Sequence, residues 1–210
     1  MTADSRLEPD VDAAGVPYIS MSRDSRIMIE GVTPVTNCGA SSVQTITGEW
    51  VKVTCQVFVE GGGPLAVMVR WRHIDSSEGF TAPMQTLGNN LWQGQLRIDT
   101  SGLHVFCIDA WVDEYASLCF KLQTQFLQGS PVGQVIRRGL DQVLLAAQRW
   151  VEDPQQGPSL QTLYERLSGL PQEQQIALLL HEDSASLMRD AQERSCLALS
   201  PEYPLYANAR

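Results

Sequence analysis

The chain has 210 residues, 43% of them hydrophobic and 19% charged, a mixture that supports a sizeable apolar core and argues against global disorder. Its net charge of −9 and its pI near 4.7 argue against a nucleic-acid or anionic-membrane surface, since both need a basic face and no Lys/Arg cluster is present. The length allows one large domain or two small ones, and no apolar run approaches the roughly 18 residues of a membrane span.

Residues 1–25 are polar, acidic and unpatterned and read as a mobile tail without a leader pattern. A first strand is expected at Arg26-Ile27-Met28-Ile29-Glu30, with Pro34 pointing to an edge position or a strand start. Residues 43–60 read as a strand, a bend at Gly48-Glu49 and a second strand. There Val51, Val53, Cys55, Val57 and Val59 alternate with polar residues, apart from Phe58, as in a half-buried strand. Gly61-Gly62-Gly63-Pro64 is a turn. It lacks the Lys-Ser/Thr and following helix of a phosphate loop. Leu65 to Ile74 is the next strand, followed by a polar loop from Asp75 to Ala82 and a short strand at Pro83 to Leu87. Gly88-Asn89-Asn90 is a hairpin signal leading into Leu91 to Ile98.

The stretch Leu103 to Phe126 follows the turn Asp99-Thr100-Ser101-Gly102. Its first half reads as a central strand, with Leu103, Val105, Cys107, Asp109 and Trp111 on one face and His104, Phe106, Ile108, Ala110 and Val112 on the other. Both faces are largely apolar, so a covering layer is expected on each side, and the chain after Phe126 is the candidate for one of them. Roughly seven short strands with turns between them predict an immunoglobulin-like antiparallel sandwich.

The period changes at Ser130-Pro131, which resembles an N-cap and a first helical position. Val132, Val135, Ile136, Leu140, Val143, Leu144, Ala147, Trp150 and Val151 follow three-and-four spacing. Further helices are expected from Ser159 to Gly169, from Pro171, and from a cap at Asp183. The fold class is therefore α+β, an immunoglobulin-like antiparallel β-sandwich with an inserted or appended small helical bundle. Its parts are a tail over 1–25, a sandwich over 26–126 plus about 203–210, and a bundle of about four helices over 127–200.

Cys38, Cys55, Cys107, Cys119 and Cys196 are scattered, without a C-x-x-C pair, and point to a reduced, cytoplasmic chain; Cys55, Cys107 and Cys119 sit in strand-like runs. His73, His104 and His181 fall on different elements and lack metal-ligand spacing, so no metal or cofactor is expected. Asp109 and Asp113 bracket Trp111 on one face of the strand with no third polar partner, so no catalytic role is assigned to them. Of Trp50, Trp71, Trp92 and Trp111, the hairpin residue Trp92 reads as the most exposed and as the best candidate for stacking on a sugar ring.

Three motifs in order then resemble the N-terminal region of the α-1,4-glucan:maltose-1-phosphate maltosyltransferases, members of the α-amylase superfamily. Arg26-Ile27-Met28-Ile29-Glu30-Gly31-Val32-Thr33-Pro34 resembles the family's entry strand R-I-x-I-E-x-V-x-P. Leu87-Gly88-Asn89-Asn90-Leu91-Trp92 resembles its L-G-N-D-x-W hairpin, and Asp109-Ala110-Trp111-Val112-Asp113-Glu114-Tyr115-Ala116 its E-A-W-x-D-x-[FY]-A segment. Gly61-Gly62-Gly63 departs from a Gly-His-Asp turn, and Leu118 stands where tryptophan is usual.

The resemblance implies an accessory and dimerisation region of a cytoplasmic enzyme whose catalytic (β/α)₈ barrel follows it. No catalytic carboxylate maps onto this chain. The expected partners are a second copy, the barrel and an α-glucan, and the expected interface or glucan contacts are Trp92, Trp111, Asp113 and Tyr115. Trp111 is expected to anchor packing against a neighbour, and to stand exposed if that neighbour is the barrel.

Overall fold

The computed structural model describes residues 26–194 and 197–210. The tail expected over 1–25 and the position of Cys196 lie outside the described residues. The strands are β1 (Ile27–Thr33), β2 (Val43–Ile46), β3 (Trp50–Val59), β4 (Leu65–His73), β5 (Phe80–Pro83), β6 (Gln85–Gly88), β7 (Leu91–Arg97) and β8 (Gly102–Val112). Five helices follow: α1 (Glu114–Leu127), α2 (Gly133–Arg149), α3 (Gln156–Gly169), α4 (Gln172–Leu179) and α5 (Glu182–Ala191). The chain then returns as β9 (Ala198–Leu199) and β10 (Tyr203–Asn208).

The fold is α+β. One sheet has the order β1-β3-β7-β6; the other runs β2-β10-β8-β4-β5, with β9 pairing to β8. Val53, Cys55 and Val57 of β3 face Val67 and Val69 of β4 and Phe106, Ile108 and Ala110 of β8 across one apolar core. The alternation expected along β3 is therefore the inward face of a sandwich. Because β8 leads into the helices and β9 and β10 rejoin its sheet, the helices are inserted between neighbouring strands.

Two departures from the sequence reading have long-range causes. β2 and β10 pair in parallel, so the sandwich is not wholly antiparallel. A parallel pair needs a long crossover, and here most of the chain separates the two strands. The strand expected at Pro83 to Leu87 is mostly β6, and β5 takes Phe80 to Ala82 from the stretch expected as a loop, because the chain changes sheets at Met84. β5 pairs with β4 in one sheet, and β6 pairs with β7 in the other. Met84 donates its N–H to Val67 O at 2.8 Å and buries its side chain in the core. Gly94 opposite it has no room for a Cβ, which would lie 2.8 Å from Met84 Cγ.

The hairpin signal holds: Asn89 (φ 50°) and Asn90 (φ 61°) form the two-residue loop between β6 and β7, both in the left-handed region that favours Asn and Gly. Pro34 follows the last residue of β1, which among the described residues is an edge strand paired with β3.

The helices have their own core, with Leu122, Val143, Leu160, Leu167 and Leu179 fully buried. Each such leucine contributes on the order of 1.5–3 kcal/mol through burial. Helix starts depend on caps that periodicity does not reveal. α1 begins at Glu114, so Cys119 sits on a helix and not in a strand. α2 starts at Gly133, three residues after Ser130, with no side-chain cap. At α3 it is Asp153 that accepts from Gln155 N and Gln156 N, so the helix begins before Ser159. At α5 the cap is the His181 ring, which accepts from Asp183 N; Asp183 itself lies in the first turn.

Several helix C-termini, whose last carbonyls lack intrahelical donors, are closed by side chains from neighbouring helices. Tyr115 Oη donates to Leu179 O at 2.9 Å, and Trp150 Nε1 donates to Ala191 O at 3.0 Å. Gln175 Nε2 donates to Leu167 O at 2.9 Å.

Candidate functional site

β8 is buried from His104 to Val112, so both its faces are covered. The face opposite the sandwich core carries Val105, Cys107, Asp109 and Trp111, and two guanidiniums lie against Asp109 and Trp111. Arg70 of β4 forms a two-point pair with the Asp109 carboxylate, Nε to Oδ2 and Nη2 to Oδ1, each 3.2 Å. Arg194, from the segment leaving α5, brings a second cation within 3.9 Å of Asp109 and lies over the Trp111 ring at 4.4 Å. It also donates to Met68 Sδ at 3.7 Å. A buried carboxylate flanked by two cations is matched in charge, and the indole face supplies a cation–π surface for the second. The hydrogen bond from Arg70 to Asp109 holds the Arg70 guanidinium above its usual pKa.

The strand-to-helix transition is fixed four residues further on. Asp113 is the N-cap of α1, its Oδ1 accepting from Ala116 N at 2.8 Å and from Gln192 Nε2 at 3.0 Å. Gln192 Oε1 in turn accepts from Tyr115 N at 3.2 Å. Asp113 N donates to Pro64 O at 3.0 Å, which ties the same residue to the turn between β3 and β4. Asp109, Trp111 and Asp113 of β8 and its exit, with Gln192 and Arg194 of the return segment, form a joint between sheet and helices.

Of the residues expected to make interface or glucan contacts, Trp111, Asp113 and Tyr115 are all buried in or beside this joint. Trp111 is only 1% exposed, so the exposed position expected for a barrel contact is not what is found: the stacked Arg194 covers the ring. Its Nε1 has no hydrogen-bond acceptor among the described residues. Asp113 is not on the strand face with Asp109; it begins a helix. Burial drives the Tyr115 hydroxyl pKa far upward and holds the phenol neutral, a donor to Leu179 O.

Trp92 is half-buried against the sandwich core, because its cross-strand partner Cys55 faces inward. The exposed tryptophan is Trp50, at 64%. The alternation along β3 contained that signal, since Trp50 shares the outward parity of Lys52 and Thr54.

Of the described thiols, Cys55 and Cys107 are buried and Cys119 is half-buried. Desolvation pushes Cys55 up to about 12 and Cys107 and Cys119 up to about 11. His104 is buried, bonded to Thr100 Oγ1 and Gly102 O, and packed edge-on to His73; burial lowers its pKa. Among the described residues, no three His, Cys, Asp or Glu side chains are grouped as metal ligands, and no helix is long and apolar enough to cross a membrane.

Comparison with known proteins places this arrangement in a wider set. Residues 25–209 match the family model described as alpha-1,4-glucan:maltose-1-phosphate maltosyltransferase, domain N/S. The chain is 28% identical over 190 residues to the alpha-1,4-glucan:maltose-1-phosphate maltosyltransferase of Pseudomonas aeruginosa, an alignment covering 90% of this chain and 28% of that protein. The enzyme of the same name from Burkholderia pseudomallei is 26% identical over 190 residues, covering 88% of this chain and 16% of that protein. The one from Myxococcus xanthus is 27% identical over 175 residues, covering 80% and 26%. The chain thus spans between about a sixth and somewhat over a quarter of the length of these relatives.

Proposed function

The chain belongs to the alpha-1,4-glucan:maltose-1-phosphate maltosyltransferase domain N/S family, and we propose that it is the non-catalytic accessory and assembly region of such an enzyme in the cytoplasm. On this reading the enzyme transfers maltosyl units from maltose 1-phosphate to an α-1,4-glucan through a catalytic barrel outside these residues. The observation that carries the reading is the use of the buried carboxylates. Asp109 is held by Arg70 and approached by Arg194, and Asp113 caps α1, so both serve structure and neither is free for acid/base work.

In the assembly role, the joint holds the inserted helices at a set orientation to the sandwich. Phe120 and Leu127, exposed one heptad apart on α1 with Phe126 beside Leu127, then offer an apolar patch for a second copy. On the same reading the sandwich is immunoglobulin-like.

The test is activity and mass. The 210-residue chain alone is expected to release no phosphate from maltose 1-phosphate in the presence of maltohexaose. Turnover that a single substitution within the chain abolishes would overturn the accessory reading. Sedimentation at high concentration is expected to show a dimer that Phe120→Glu dissociates, and a clean monomer removes the assembly part.

A second reading, contact with the α-glucan itself, is favoured by the exposure of Trp50 and of Phe80 at 67%. Saturable binding of malto-oligosaccharides by this chain would support it.

A further inference from the structure

We infer that a small pocket between Arg70 and Arg72, on the outer face of the β2-β10-β8-β4-β5 sheet, binds a carboxylate with a short alkyl stem. Val67 and Val69 of β4 face the sandwich core, so Arg70 and Arg72 project from the opposite side of the strand. Their cross-strand partners on β8 are Cys107 and Val105, which form the floor. The loop after β4 supplies Ser77 and Gly79 as one wall, and Glu202, just before β10, supplies the other. Gly79 keeps that loop against the strand, since a Cβ there would lie 2.9 Å from Trp71 O. The pocket encloses about 60 Å³, room for a few waters or for one carboxylate on a short stem.

The donors at this pocket are only partly used. A guanidinium has N–H groups on all three nitrogens. Arg70 uses Nε and Nη2 on Asp109, and its Nη1 has no partner among the described residues. Arg72 gives Nη1 to Ile74 O at 3.1 Å and Ser76 O at 3.3 Å, and Nη2 to the two Glu202 oxygens at 3.1 and 3.2 Å. Its Nε is likewise without a partner among the described residues. Both guanidiniums are reachable, with side chains 40% and 28% exposed.

The charge count selects the ligand. Arg70, Arg72 and Arg194 face Asp109 and Glu202, which leaves one positive charge on this sheet face of a chain of net charge −9. The carboxylates of Asp75 and Glu78, on the loop, do not line the pocket. The floor adds no charge, because Val105 is apolar and the Cys107 thiol donates to Asp109 Oδ1 at 3.6 Å. A monoanion cancels the remaining charge, and a planar carboxylate fits the planar fork of a guanidinium. A phosphate dianion would overshoot that charge beside Asp109 and Glu202. The carboxylate comes either from a free short-chain acid or from an acidic side chain of another protein segment.

The test is NMR titration of the 210-residue chain at constant ionic strength, following the Arg Nε–H signals. The probes are acetate, glutamate capped at both ends as amides, inorganic phosphate and, as baseline, chloride. Saturable shifts at Arg70 and Arg72 with millimolar carboxylate support the site. Saturation by acetate alone assigns it to a free acid, and tighter saturation by capped glutamate assigns it to a side chain. Glu202→Gln removes the competing carboxylate from Arg72 and is expected to tighten binding several-fold, a gain that a folding defect does not produce. Arg72→Gln, with its fold checked by circular dichroism, is expected to weaken binding roughly tenfold, as for loss of one charge-assisted contact. Shifts that stay linear and match those with chloride overturn the inference, as does unchanged affinity in Glu202→Gln. Phosphate that saturates more tightly than either carboxylate overturns the carboxylate assignment.

Discussion

At the scale of single residues, Asp109 shows how a residue type changes meaning with its surroundings. A carboxylate two positions from a tryptophan invites comparison with acid/base pairs, yet burial between Arg70 and Arg194 makes it a structural anion. Removing it leaves two guanidiniums without their partner. Both are part-exposed and regain water, so the loss is expected below the ~3–5 kcal/mol of a fully buried broken pair. Asp109→Ala should cost about 2 kcal/mol in urea unfolding, and Asp109→Asn nearly as much, whereas Trp50→Ala should stay within about 0.5 kcal/mol. Asp109 was visible in the sequence as a polar residue in an apolar strand. Its partners were not, because Arg70 and Arg194 lie 39 and 85 positions away.

At the scale of elements, the structure is a set of local signals joined by a few long-range choices. The Asn89-Asn90 hairpin and the inward parity of Val53, Cys55 and Val57 were legible, since both follow from neighbouring residues alone. Helix starts were less legible. Pro171 marked α4 correctly, but Asp113, Asp153 and His181 were decided by which side chain reached the first free N–H groups. Asp113 has the largest load, since it caps α1 and also accepts from Gln192 of the return segment. Asp113→Ala is expected to cost about 1–2 kcal/mol, towards the upper end for a cap. Hydrogen exchange should show added loss of protection in the first turn of α1, and unchanged protection there would count against this role.

At the scale of the whole molecule, the buried ionisable groups set a pH window for stability. His104 is buried with a pKa below the ordinary 6.5, so the folded state holds fewer protons than the unfolded chain once pH falls below that value. Stability contributed by neutral His104 is therefore present above pH 6.5 and is lost as pH drops through 6.5 toward the folded pKa. Cys55, raised to about 12, and Cys107 and Cys119, raised to about 11, act at the other end. Above the usual thiol value of 9.0 the unfolded chain loses protons that the folded chain keeps, and stability falls with rising pH. Thermal melts from pH 5 to 10 should give a plateau between these limits. The acid slope should shrink in His104→Gln and the alkaline slope in Cys55→Ala; a flat profile in wild type would contradict the assignment.

What the sequence by itself determined is whatever depends on periodicity and turn chemistry. This covers the strand-forming stretches, the apolar stripes of the helices after Ser130, though not α1 before it, and the family resemblance carried by the entry strand, the hairpin and the segment around Trp111. What only the tertiary structure decided is which elements meet. Period-two alternation states that a strand has an inner face but not which sheet it joins, so the crossing at Met84 and the parallel pairing of β2 with β10 could not be read from it. The same reason separates the tryptophans. Trp92 and Trp111 lie in two of the three motifs that resemble the family, and the chain covers both, Trp92 in part and Trp111 almost wholly. Trp50, outside those motifs, is left facing solvent, because the face a side chain shows is set by the register of its strand against distant partners.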